Sequence, residues 1–302
     1  MADYLAFSTI YGDVCRAMGD LQATRSTEVK AVINQVYLNE ILNVDEMRPL
    51  FWLRKRCDSV FTKAADTVTG ISLATSPATM TATNKNMVTN DIVSLYGMTG
   101  ATELNNRLFR LKRTSDSYEL YDLDNVAVDS PATAYVSGGI IVHRGVASSL
   151  SIRQIIGQPN FHGYNDGLEE ITDKELEAST SWWDENTTRP TRFLHYKSYT
   201  NAGTENDCIL WFPGADAAYQ MRFWYEVRPS RLSSDSDVPL LPAQFHDAIV
   251  AGAITRLGEN KTQVEAGVVW PGLYKAQLQA IKEYNRKLWK PYEDKRSGIY
   301  LI

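Results

Sequence analysis

The chain has 302 residues, 44% of them hydrophobic and 22% charged, with a net charge of −5. That balance suits a soluble globular protein with a sizeable core and excludes the strongly basic footprint of a nucleic-acid binder. No apolar run approaches the roughly 20 residues of a membrane helix, and Met1-Ala2-Asp3-Tyr4 has no basic-then-apolar leader pattern, so folding in a cytoplasm is expected.

The first segment reads as helix. Phe7, Ile10, Val14, Met18 and Leu21 recur at three- and four-residue steps, which places them on one helical face. A second helix is expected after Thr24-Arg25-Ser26-Thr27, with Ser26 as its N-cap and Glu28 in its first turn, where the helix dipole favours a carboxylate. Its apolar stripe is Val29, Val32, Ile33, Val36, Tyr37 and Ile41, and Asn43 and Pro49 are stop signals.

Between Val68 and Pro229 threonine, valine and aromatic residues dominate and turn residues are frequent, which points to strands. Ile92–Tyr96, Arg107–Lys112 and Tyr118–Leu123 read as strands. Gly97-Met98-Thr99-Gly100, Asn105-Asn106 and Thr114–Ser117 read as turns. Short strands at this spacing suggest a small antiparallel sheet or barrel. Thr172-Asp173-Lys174-Glu175 fits a capping box, and Ile171 with Leu176 fits a hydrophobic staple, so one short helix is expected here. Strands follow at Arg192–Ser198 and Cys208–Phe212. In Tyr219–Val227 the residues Tyr219, Met221, Phe223, Tyr225 and Val227 alternate strictly with Gln220, Arg222, Trp224 and Glu226.

Helix returns after Pro242. Phe245, Ile249, Ala253 and Leu257 step by four. Tyr274, Leu278, Ile281, Asn285 and Leu288 follow a 4-3-4-3 spacing in a second helix that begins near Pro271 and stops at Pro291. Residues 290–302 are expected to extend as a tail. Its apolar end, Ile299, Tyr300, Leu301 and Ile302, gains little in water and is expected to dock on its own body or, as an assembly element, on a neighbour.

Catalytic signatures are sparse. There is no phosphate loop, no GxGxxG, no GxSxG elbow and no HExxH. Cys15, Cys57 and Cys208 are odd in number and widely spaced, which suits buried reduced thiols. His143, His162, His195 and His246 are scattered, without metal-ligand spacing. Glu169, Glu170 and Glu175 are the first suspects if the chain hydrolyses a glycoside, although adjacent glutamates usually sit apart in solvent. Trp182, Trp183, Trp211, Trp224, Tyr225 and Trp270 suit a β core or a subunit interface. Arg54, Lys55 and Arg56 form the one compact basic run, read as solvated or subunit-facing charge.

Several phrases resemble the head-to-tail connector (neck adaptor) proteins of tailed bacteriophages. They are the segment from Asp235-Ser236-Asp237-Val238-Pro239-Leu240 to His246-Asp247 and Ala251-Gly252-Ala253, the approach Pro213-Gly214-Ala215-Asp216 into the alternating strand with Arg228-Pro229, and Phe51-Trp52-Leu53-Arg54-Lys55. Asp91–Leu123 is similar to a small β module of phage structural proteins, through Gly97–Gly100, Leu104-Asn105-Asn106 and Phe109. The resemblance implies a non-enzymatic, cofactor-free subunit of a dodecameric ring. Such a ring sits in the virion neck between portal protein and a tail or nozzle protein, and genomic DNA passes through without tight binding. Its alternatives are a tail-tube or tail-ring protein, and a connector with peptidoglycan hydrolase activity. The expected fold is α+β: a helical bundle from the N- and C-terminal helices (residues 1–66 and 241–289) with a large β-rich insertion. The insertion divides into a small β module at 67–145 and a β-rich region with one short helix at 146–240.

Overall fold

A computed structural model of the chain describes residues 4–19, 22–45, 48–72, 76–148, 150–178, 187–199, 205–259 and 266–297. In chain order the elements are α1 (Phe7–Ala17), α2 (Gln22–Gln35), β1 (Arg54–Phe61), β2 (Asp66–Ile71), β3 (Thr79–Ala82), β4 (Asp91–Thr99), β5 (Leu108–Arg113), β6 (Tyr118–Tyr121), β7 (Ser137–Ser148) and β8 (Ile152–Phe161). There follow β9 (Glu169–Glu170), α3 (Asp173–Ala178), β10 (Thr187–Thr188), β11 (Arg192–Tyr199), β12 (Glu205–Phe212), β13 (Gly214–Ala215), β14 (Gln220–Val227), α4 (His246–Glu259) and α5 (Ala266–Ser297). They form two compact units, Met1–Lys55 with Arg228–Ile302, and Arg56–Val227.

The architecture corrects the expectation of a helical bundle carrying an insertion. The protein is mostly β, with a six-strand closed barrel and extra strands, and only about 30% helix. The expectation erred because alternation was the strand signal it relied on. β7 is buried along most of its length on both faces, so Ile140-Ile141-Val142 shows no alternation to read.

In the helical unit, α1, α2, α4 and α5 share one core. It is built from Phe7, Ile10, Val14, Ile33, Tyr37, Ile249, Leu257 and Ile281, the positions that the apolar spacing marks. Two boundaries differ from expectation. α2 starts at Gln22, so Ser26 and Glu28 lie inside it, and it continues as a π-type turn over Val36–Ile41. α5 starts at Ala266 and runs through both Pro271 and Pro291 to Ser297, so residues 290–297 continue the helix rather than extending as a tail. A proline costs one backbone hydrogen bond, and a long helix absorbs that loss near its end. Ile299, Tyr300, Leu301 and Ile302 lie outside the described residues.

In the β unit the strand order is β2-β3-β6-β5-β4-β7-β12-β11-β9, and β2 also pairs with β7, which closes the first six strands. Ile140 and Ile141 of β7 face Thr67 and Asp66 on one side and Tyr96 and Leu95 on the other. At this seam the strands crowd. Gly139 has a φ of +107°, and a Cβ there would lie 2.6 Å from Met98 Cγ and 3.1 Å from Val68 Cβ, so the position favours glycine. Val68, Met80, Leu95, Phe109, Leu111, Leu120 and Ile141 fill the interior.

Beyond the barrel, β12 and β11 extend the sheet with two buried faces. Phe193, Ile209 and Trp211 pack towards a separate three-strand sheet of order β1-β14-β8, while Leu194, Cys208, Leu210 and Phe212 pack with Ile171 and Leu176. The expected capping box is formed: Thr172 N donates to Glu175 Oε2 at 2.7 Å and Glu175 N donates to the Thr172 hydroxyl at 3.3 Å.

Candidate interaction surface

The three-strand sheet buries one face and opens the other. Met221, Phe223 and Tyr225 of β14 join the core with Cys57, Val60, Ile152 and Phe161. The alternating residues Arg222 and Trp224 face the other way with Arg56 of β1 and Gln158 and Asn160 of β8, and they line an open cavity of about 230 Å³. Arg222 lies opposite Asn160, and Trp224 opposite Ile156. Trp224 stands on the central strand and is 41% exposed. Arg222 Nε is buried and has no hydrogen-bond partner among the described residues. Arg56 lies 3.9 Å from Asp58, both exposed, a separation at which water screens the pair.

The basic run is therefore divided. Arg56 belongs to this face, and the Arg54 guanidinium lies 5.4 Å from the Trp289 ring in the helical unit. Lys55 is exposed. Sequence reasoning singled out the run but did not bring Arg222, Trp224, Gln158 and Asn160 to it. The alternation of β14 placed Arg222 and Trp224 on one face, and nothing local to β1 or β8 announced which strands flank that face.

Carboxylates buried in the β unit are held by hydrogen bonds. Asp91 accepts from Lys63 at 2.5 Å and from Val88 N at 2.7 Å, with His143 Nε2 at 3.5 Å. Burial favours its neutral form, but His143 and Lys63 outweigh that and hold its carboxyl below the usual range. His143 is itself fully buried, edge-on to Trp211 at 4.9 Å, and burial keeps its imidazole below its ordinary value despite Asp91. It is therefore a neutral dipole near Asp91, and Lys63 supplies the charge. Lys63 and Asp91 sit in an open cavity of about 450 Å³ rimmed by Phe61 and Val88. Asp207 accepts from Ile152 N and from His195 Nε2, both at 2.9 Å, and Asp66 from Thr67 N at 2.8 Å and Asn84 N at 3.0 Å. Glu226 belongs to the same alternating set as Arg222 and Trp224 but is buried, accepting from Gln154 at 2.8 Å.

The suspects for glycoside hydrolysis are placed as follows. Glu169 and Glu170 are successive exposed residues of β9, so their side chains diverge, and Glu169 pairs with Arg192 at 3.3 Å. The Thr172 N–H and hydroxyl hold the Glu175 carboxyl below the usual range, the opposite of what a proton donor needs. Cys15, Cys57 and Cys208 are buried free thiols. Trp211 and Tyr225 are core residues, and Trp270 packs on the helical core; Trp182 and Trp183 lie outside the described residues. Among the described residues no group of three histidine, cysteine or acidic side chains is arranged to hold a metal ion, and no helix is long and apolar enough to cross a membrane.

The chain matches no protein-family model and no curated protein.

Proposed function

We propose that this chain is a structural, non-enzymatic subunit of a tailed-phage virion, an adaptor ring that joins the portal protein to a tail or nozzle protein. The observation that carries the reading is the open face of the three-strand sheet, where Trp224 stands among Arg56 and Arg222. Tryptophan and arginine are the side chains that protein interfaces concentrate at their centres. The resemblance carried by residues 235–253 favours a position in the neck, and the helices of both chain ends share one core. A net charge of −5 suits a channel wall past which a polyanion must slide.

Negative-stain microscopy of the purified protein mixed with its portal tests the reading. Rings seated on the portal are expected; subunits that stay dispersed and leave the portal bare would sink it. Filter binding should show weak or no affinity for duplex DNA, and tight, salt-sensitive binding would count against a channel role. The apolar residues Ile299–Ile302 serve in this reading as an assembly anchor, so truncation after Ser297 should spare the fold and weaken portal joining. The dominance of strands favours a second reading, a tail-tube or tail-ring protein of the same virion. In that case rings would stack on one another or on the tail and not on the portal.

A further inference from the structure

The geometry points to one specific contact between copies: the open face of the three-strand sheet receives the segment Asp235–Leu240 of a second copy. The inference rests on the ring reading above and names the surfaces that would close the ring.

Two features of the receiving face define its partner. Arg56 and Arg222 both line the cavity and form a basic spot on an acidic chain. Two guanidinium groups side by side favour a carboxylate between them. Trp224 beside them offers an apolar plane that gains from covering. The partner is therefore an exposed segment that carries carboxylate and aliphatic groups within a few residues.

Asp235-Ser236-Asp237-Val238-Pro239-Leu240 has that composition and exposure. Asp235 is exposed to 76% of its side chain, Val238 to 43% and Leu240 to 42%. Asp235 meets Lys30 only at 3.4 Å in solvent, a pair easily exchanged for another. The backbone of the segment is already fixed. Phe7 N donates to Asp237 O at 2.8 Å, Ser8 N to Asp235 O at 3.1 Å and Leu240 N to the Tyr37 hydroxyl at 2.8 Å. The Asp237 carboxylate accepts from Ser233 N at 2.6 Å and Ser234 N at 2.8 Å. A segment held this way loses little conformational freedom on docking. The two surfaces are different patches of one chain, so the contact is head-to-tail, the kind that propagates around a ring instead of ending at a dimer.

Disulfide trapping on the full-length chain tests it. Gln158→Cys borders the receiving face and Ser236→Cys lies in the donated segment; both positions are exposed, and the native cysteines are buried. Under mild oxidation an equimolar mixture of the two variants should cross-link at least tenfold more than either variant alone. Adding Arg222→Glu to the first variant should remove that excess, and adding Asp235→Arg to the second should restore it. A mixture that cross-links no better than the single variants overturns the contact. If rings still form on the portal in that case, the ring reading stands and only this interface falls; if no rings form, both fall. Measurable DNA binding that Arg222→Glu abolishes, with self-association unchanged, would reassign the face to nucleic acid and also overturn the proposal.

Discussion

The barrel of β2–β7 and the three-strand sheet β1-β14-β8 solve the same problem differently. A sheet must bury its apolar faces and satisfy its edges. The barrel does both by closure: β2 meets β7, and Phe109, Leu111 and Leu120 fill the interior. The three-strand sheet buries one face fully, and the other carries the exposed Arg56 and Trp224 beside the half-buried Arg222. Closure leaves the barrel strands paired and its interior filled. The open sheet leaves a partly wet face, the surface that the proposed function needs, so the two regions should answer mutation in opposite ways.

The largest effect should come from the barrel. Phe109→Ala removes a fully buried ring opposite Val93 and is expected to cost about 3–5 kcal/mol, with no effect on self-association beyond loss of folded protein. Urea unfolding measures it. A loss below about 1 kcal/mol would mean the barrel collapses around the gap and is not the rigid partner of the comparison.

Acid should act next. Burial holds His143 below its ordinary value of 6.5, so the unfolded chain takes up the proton first. Stability is therefore intact above pH 6.5 and declines as pH falls from there towards the lower folded value. His246 in the helical unit behaves alike, because burial outweighs its hydrogen bond to Leu241 O at 2.9 Å. Asp91 also has a lowered value, so its contribution is present above 3.8 and is lost only below that. Urea midpoints between pH 7 and pH 4.5 should fall, and His143→Gln and His246→Gln should each flatten the slope. An unchanged slope in His143→Gln would show that the barrel polar cluster is not what titrates.

What could be read in advance follows the same division. Helical stripes such as Phe7, Ile10, Val14 and Ile33 were legible because one face is buried along a regular helix. β14 was legible because its sheet has one wet face, and Thr172–Glu175 because a capping box is local. β7, β8 and β1 were not. β7 is buried on both sides, and in β8 Ile155 and Ile156 are successive, half-buried residues at a register shift against β14. β1 hides under its basic run. Barrel closure is a pairing of distant strands, β2 with β7, that no local pattern encodes. The candidate face was legible in part: Arg56 and the β14 alternation were visible, and their juxtaposition with Gln158 and Asn160 was not.

A smaller effect tests whether the outlying strands behave as a separate region. Thr172→Ala deletes the hydroxyl that accepts from Glu175 N and should cost about 1 kcal/mol. Hydrogen exchange should rise in α3 and leave the barrel strands unchanged. Equal acceleration in the barrel would show that the closed and open regions unfold as one.

The smallest effect on stability, and the most telling one, belongs to Trp224→Ala. The residue stands on the central strand, where a cross-strand neighbour such as Ile156 contributes about 0.2–1 kcal/mol. The 41% of the residue that faces water adds nothing to the isolated subunit. In an assembled ring that surface would be covered, and truncating a central interface tryptophan typically costs 2 kcal/mol or more, roughly thirtyfold in affinity. If the proposed ring exists, the variant should unfold almost as the parent does and fail to assemble where the parent assembles, as sedimentation velocity would read. Phe109→Ala should do the reverse, losing stability while its folded fraction still assembles. If Trp224→Ala instead unfolds the protein, the open face is a structural element like the barrel wall, and the contrast between the two sheets disappears.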